Sequence, residues 1–193
     1  MTSSRSELGI AVGVAVWTTL AGGALRAADV APLIEAAQDQ PKLELVMKIV
    51  VTCASPEAVA PTSASKDGQR QEIWPILGGR FFGKDIRGTV VAGGGDFPVT
   101  RPDGVEVIDA LYRLRTDDGV TIIIHNKGLA YPAAKPEDTR YRLVPEFIAP
   151  QGKYDWLNRY VFVSTLVVPV PAELQLAKGP NENDRVIEVY RVR

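Results

Sequence analysis

Thiols and imidazoles are almost absent from this chain. Its 193 residues include one cysteine, Cys53, and one histidine, His125. A single cysteine closes no internal disulfide, and a Cys-based structural zinc site needs several ligands that are not there. Burial as a small hydrophobe is the default for such a thiol. Charge of one sign is also lacking: 22 Lys and Arg stand against 23 Asp and Glu, for a net charge of −1. No basic block recurs, which argues against a nucleic-acid surface. Gly93-Gly94-Gly95 lacks the spacing and the following helix of a dinucleotide fingerprint. No cofactor and no metal are expected.

What is present suits one globular domain. The chain is 46% hydrophobic and 23% charged, and its 17 glycines and 14 prolines favour many turns over long helices. The N-terminus stands apart. Met1–Glu7 is polar with Arg5, Leu8–Leu25 carries no charged residue, and Arg26-Ala27 follows. A weakly basic start, an apolar run and a small-residue exit form the layout of a secretory signal peptide. Residues 1–27 are therefore read as a signal, with residues 28–42 as a short helix or linker and 43–193 as the domain. The protein is expected to be exported, periplasmic or secreted, with no stable membrane insertion once the signal is cleaved. Because about 20 apolar residues span a bilayer, an uncleaved anchor over residues 8–25 is the rival reading.

Within 43–193 the hydrophobic period is two. Leu43–Val51 places Leu43, Leu45, Met47 and Ile49 on one face and Glu44, Val46, Lys48 and Val50 on the other. Thr52–Gln71 reads as a long loop. Glu72–Ile76 reads as a short strand that ends at Gly78-Gly79. Asp85–Ala92 is a strand with Gly88 inside it, the mark of a bulge, a barrel corner or a close backbone approach. Val105–Thr116, Tyr141–Ile148, Arg159–Val168 and Asp184–Val192 complete the strands. Short strands separated by turn signals indicate an antiparallel sandwich or barrel.

The hairpin around Asp117-Asp118-Gly119 allows two registers. A two-residue loop pairs Arg115 with Ile122. A three-residue loop, with Gly119 in the left-handed position, pairs Leu114 with Ile122, Tyr112 with Ile124 and Ala110 with Asn126. The second sets apolar side chains opposite each other, each pair worth roughly 0.2–1 kcal/mol, and is preferred. It leaves Asp109, Leu111, Arg113, Ile123 and His125 on the other face. Apolar residues on both faces call for a sheet covered on both sides or closed into a barrel.

Several stretches carry a family resemblance. They are Gly78-Gly79, Gly88-Thr89-Val90-Val91, Gly94-Gly95-Asp96, Asp103-Gly104, Thr116–Gly119, Asn126-Lys127-Gly128 and Gly152–Arg159 (GKYDWLNR). In this order they resemble the domain of unknown function 3237 family, also called uncharacterised protein family 0311. The resemblance covers Leu43–Arg193. It implies a compact antiparallel β-barrel of calycin-like appearance, often self-associated, with no settled activity. One departure stands out: relatives carry an acidic residue where this chain has Ile148. Glu146 is the nearest acidic replacement, and alternation along a strand argues against its taking over that position.

Candidate chemistry follows from side-chain type and place. Asp96, after three glycines, is a general base if buried. His125 is a proton carrier by its ordinary pKa, against the plainer reading of a hydrogen-bonded cross-strand residue. Tyr112 and Asn126 share the face that would line a lumen. Tyr154, Trp156 and Asn158 share a side if their segment is extended, forming either a pocket wall or a plug that closes the barrel. Arg80 offers bidentate binding of a carboxylate. Asp109 and Arg113 form either a lumenal or a surface pair, and the surface is favoured.

Three functions remain open at this level. The first is a β-barrel binding a small organic ligand, aromatic or otherwise apolar and oxygenated. The second is a cofactor-independent lyase or isomerase working next to a carbonyl. The third is a non-catalytic structural subunit. A homo-oligomer is expected in each case.

Overall fold

The computed structural model describes residues 39–59, 63, 65 and 67–193. The expected signal peptide and the expected helix before Gln40 lie outside the described residues, apart from the last few positions of that stretch. The body Pro41–Arg193 is all-β. Its strands are β1 (Leu43–Ala54), β2 (Glu57–Val59), β3 (Arg70–Gly83), β4 (Arg87–Asp96), β5 (Val99–Thr100), β6 (Glu106–Thr116), β7 (Thr121–Tyr131), β8 (Arg140–Ile148), β9 (Phe162–Val167) and β10 (Glu182–Val192). Among the described residues, helix is limited to short 3-10 turns.

Eight strands close a barrel in the order β1-β3-β4-β6-β7-β8-β9-β10, and β10 returns to β1. Every pairing is antiparallel, and neighbours in the barrel follow one another along the chain, so this is an up-and-down barrel. The short β2 and β5 extend one rim beside β3. The β6–β7 hairpin has the expected register, with Leu114 opposite Ile122, Tyr112 opposite Ile124 and Ala110 opposite Asn126. The Gly119 N–H donates to the Thr116 carbonyl at 2.9 Å, and Gly119 takes φ +87°.

Alternation sorts the side chains. Met47, Phe81, Leu114, Ile124, Phe147 and Val189 fill the lumen. On the outside, Val50 and Val186 are covered by a strap after β9 that carries Val170, Leu174 and Leu176. That cover explains why β1 is apolar on both faces. No such strap covers Leu111 and Ile123, which are 46% and 38% exposed.

The glycine pairs lie inside strands, not at their ends. β3 runs unbroken through Gly78-Gly79 to Gly83, and β4 runs through Gly93-Gly94-Gly95. The pairing slips between Pro75 and Gly79 and between Val91 and Gly94, so these are bulges that bend long strands around the barrel. A Cβ on Gly79, at φ +142°, would lie 2.0 Å from the Val50 carbonyl oxygen. A turn signal in the sequence thus serves as a corner, because closure forces adjacent backbones together.

The segment after β8 closes one end. It is not extended: Asp155–Asn158 is a 3-10 turn. The Asn158 amide accepts from the Ala149 N–H at 2.9 Å and donates to the Ala149 carbonyl at 2.8 Å. Tyr154 donates its hydroxyl to Asp118 at 2.9 Å, tying the turn to the β6–β7 hairpin. Thr116 and Lys153 also bond Asp118, and with Tyr154 they hold its carboxyl down at about 2.

Two substitutions test these restraints by chemical denaturation. Gly79→Ala is expected to lower stability by about 3 kcal/mol, from forced backbone shift and unfavourable φ. Asn158→Ala is expected to cost about 2 kcal/mol, because both main-chain groups of the buried Ala149 lose their partner.

Candidate functional site

The other end of the lumen lies opposite this plug. β6 connects the two, running from Glu106 at that end to Thr116 beside Asp118. Three lumenal rows cross the strands at the Glu106 end. In the first, Trp74 faces Asp96, Asp96 faces Ala110, Ala110 faces Asn126 and Asn126 faces Pro145. The next holds Ile108, Gly128, Leu143 and Ser164, and the last Glu106, Ala130 and Tyr141. Ala110 and Ala130 are the small side chains of the first and last rows.

Asp96 sits at the end of β4, where the preceding bulge turns it inward. Its Oδ1 accepts the Asp109 N–H at 3.1 Å. Burial is the largest influence on it and pushes its carboxyl up to about 6 from 3.8, against the pull of that N–H and of Arg185. Arg185 stacks its guanidinium 4.2 Å over the Trp74 ring, whose cross-strand neighbour is Asp96. Tyr112 is 2% exposed, and its hydroxyl is pushed up by burial and then by Cys53 and Asp96. Burial likewise raises the Cys53 thiol.

Two polar atoms here are buried without a hydrogen-bond partner among the described residues: Tyr112 Oη and Arg185 Nη1. Both are donors. An unpaired buried donor costs about 1–3 kcal/mol, so an acceptor brought in from outside would be held. Beside them, Ser164 donates to Asn126 Oδ1 at 3.2 Å, and both residues are buried. Ile108, Leu143, Leu166 and the Tyr141 ring make the surrounding wall apolar. Among the described residues, no three His, Cys, Asp or Glu are grouped to hold a metal ion.

The structure brings together three of the residues singled out from sequence: Asp96, Tyr112 and Asn126. It separates the others. His125 lies on the outer face, its Nε2 2.5 Å from Asp109 Oδ1, with Glu146 directly across on β8. Arg80 is also outside and donates to the Glu173 carbonyl of the strap at 3.3 Å. Tyr154 and Asn158 belong to the plug, and Trp156 packs on Phe162 at the same end, with ring centroids 5.9 Å apart. Asp109 and Arg113 are both outside, as favoured, with Arg113 bonded to the Ala92 carbonyl at 2.9 Å.

Ile148 points outward and is 67% exposed, so the departure there touches the barrel surface and not the lumen. Glu146 lies two residues away and therefore on the same outward face, which corrects the expectation drawn from alternation.

Arg185, Glu106, Trp74 and Tyr141 were missed from sequence. For the first two a signal existed. Arg185 continues the lumenal set of Ile187 and Val189, and Glu106 continues that of Ile108, Ala110 and Tyr112. A charge at the end of an apolar alternation was the mark.

Comparison with known proteins agrees with the barrel fold. The family model "Protein of unknown function (DUF3237)" matches residues 41–192. The UPF0311 protein CA_C3321 of Clostridium acetobutylicum is 33% identical over 132 residues, 62% of this chain and 82% of that protein. The UPF0311 protein RPA1785 of Rhodopseudomonas palustris is 32% identical over 117 residues, 54% of this chain and 76% of that one. The crystal structure of RPA1785, a conserved protein of unknown function, superposes with a TM-score of 0.66 at 25% identity, covering 81% of this chain and 100% of that chain. A β-barrel-like protein from Acinetobacter baumannii gives a TM-score of 0.66 at 24% identity, covering 82% and 99%. A structure described as an enzyme from Penicillium herquei gives 0.57 at 23% identity, covering 80% and 96%, and shares the fold. With the family model spanning nearly all of the described barrel, the chain belongs to the DUF3237 family of proteins of unknown function.

Proposed function

We propose that the chain binds a small organic molecule at the Asp96 end of the lumen, an aromatic or otherwise apolar compound bearing an oxygen acceptor. The observation that carries this reading is the pair of buried donors without partners, Tyr112 Oη and Arg185 Nη1. An acceptor oxygen satisfies them, and the apolar wall takes the rest of the molecule. Export and self-association belong to the same proposal. Export rests on the apolar run Leu8–Leu25. Self-association with a second copy rests on the exposed face of β8, where Arg142 and Glu146 flank Val144 symmetrically. A two-fold axis there sets the arginine of one copy on the glutamate of the other.

Native mass spectrometry of the protein from its own host reports the N-terminus, the oligomer and any retained ligand together. One small organic molecule per chain is expected, retained less by Tyr112→Phe. A chain that never carries one, even when purified without dilution, would count against the binding reading.

A second reading is favoured by the near-neutral titration of Asp96: a cofactor-independent lyase or isomerase in which this carboxylate takes a proton next to a carbonyl. Asp96→Asn is then expected to abolish turnover and to keep ligand affinity. The same substitution has a signature in stability. The folded carboxyl titrates at about 6 and the free one at 3.8, so the folded state holds the extra proton between those values. Ionisation thus costs stability as pH rises, in full above about pH 6. Asp96→Asn is expected to gain about 3 kcal/mol at pH 7 and nothing at pH 3 in denaturant titrations.

A further inference from the structure

We propose that the plugged end of the barrel carries a second binding site, a surface cleft that takes a small aromatic carboxylate between Lys84, Lys153 and Trp156. The cleft lies outside the plug, at the opposite end from Asp96, and does not depend on ligand binding in the lumen.

Two adjoining cavities of about 380 and 320 Å³ form it. Lys84, Asp85, Ile86 and Lys153 line both and make up the junction. The first three belong to the turn between β3 and β4, and Lys153 belongs to the plug. These walls are fixed. The Gly83 N–H donates to the Ile86 carbonyl at 2.7 Å, and Ile86 is buried. A Cβ on Gly83 would stand 2.2 Å from the Val46 carbonyl oxygen, so the turn lies hard against β1. Across the cleft, buried Tyr154 is bonded to Asp118.

The cavities differ in chemistry. Arg87, Asp117 and Asp118 add charge to the larger one, whereas Leu45, Val46 and Trp156 line the smaller. Strict alternation would send Leu45 and Val46 to opposite faces. The β1 bulge between Leu45 and Met47 breaks that alternation, and both side chains border one cavity. Leu45 is exposed, and the half-buried Trp156 indole has no hydrogen-bond partner among the described residues. An apolar wall with a flat ring and one spare N–H suits an aromatic ligand.

Most charge around the cleft is already paired. Arg87 binds Asp117 at 3.0 Å, and Arg191 binds Glu44 at 2.6 Å while stacking on Tyr160. Asp118 accepts from the Thr116 and Tyr154 hydroxyls and from Lys153 at 3.2 Å. An ammonium has three donors, so Lys153 has two left. Lys84 has no ion pair or side-chain hydrogen bond among the described residues. The junction therefore offers spare cationic donors beside the apolar wall. Asp85 and Asp118 keep the excess of positive charge small, which matches a carboxylate and disfavours a doubly charged head.

The test titrates nitrogen-15-labelled protein with 2-naphthoate at low ionic strength and follows the indole N–H signals by NMR. Trp156→Phe identifies the Trp156 signal. That signal is expected to shift saturably, and added salt should weaken the binding. Lys84→Gln and Lys153→Gln should each weaken it by about five-fold, the upper range for an exposed ion pair. Both lysines are exposed, so these variants are expected to fold. Neutral 2-naphthamide should bind more weakly than the acid. A Trp156 signal that does not move overturns the proposal. So does a shift at Trp74 alone, which would put the probe in the lumen. Affinity unchanged in both lysine variants, or equal binding of the amide, overturns the assignment of an anion to this cleft.

Discussion

The first strand is hydrogen-bonded on both sides, and the rest of the structure depends on it. β1 pairs β10 from Leu43 opposite Val192 to Ala54 opposite Glu182, and pairs β3 along its other edge. The Lys42 and Arg193 main chains add two reciprocal bonds, at 2.9 and 2.8 Å. Glu44 binds both Arg191 and Arg193 where the start of β1 meets the end of β10. A sheet closed in this way has no unpaired edge in its ring to recruit another strand. It also has an inside that must be filled or put to use.

An eight-stranded barrel is only wide enough for its own side chains or one small ligand. Over most of its length this barrel is filled by Met47, Phe81, Leu114, Ile124 and Phe147. At the plugged end, Asn158 and Tyr154 satisfy main-chain and carboxylate groups. The other end is different in kind. Asp96, Tyr112 and Arg185 face the lumen, and Tyr112 Oη and Arg185 Nη1 are buried without a partner among the described residues. Polar groups left in this state cost stability, and functional sites are where proteins carry such a cost. The same burial that disfavours the Asp96 anion brings its titration close to neutrality, where proton transfer is most effective.

Much of the fold was legible because strands repeat every two residues and turns have specific chemistry. The β6–β7 register followed from setting Leu114 against Ile122, since one apolar match outweighs a shifted alternative. The glycine pairs were harder. Gly78-Gly79 marks a turn in isolation, and only a strand long enough to wrap a barrel makes it a corner. Alternation also placed His125 outside once the register was known, and it placed Asn126 inside. Tyr154, Trp156 and Asn158 were not legible in the same way. Their grouping assumed an extended segment, and the chain instead forms a 3-10 turn there.

By itself, the sequence determined the strand count to first order, the faces of the central hairpin and the family to which the chain belongs, because those are local patterns. It also singled out Asp96 and Asn126, which lie 30 positions apart on strands joined through β6. Only the tertiary structure decided that Arg185 stands over the Trp74 ring beside Asp96, since it comes from β10, which meets the early strands only when the barrel closes. It also decided that Tyr154 and Asn158 lie at the opposite end. Alternation tells which side of a wall a residue faces. Which end of the barrel it occupies depends on how far each strand is shifted along its neighbour, and that is set only when the last strand pairs with the first.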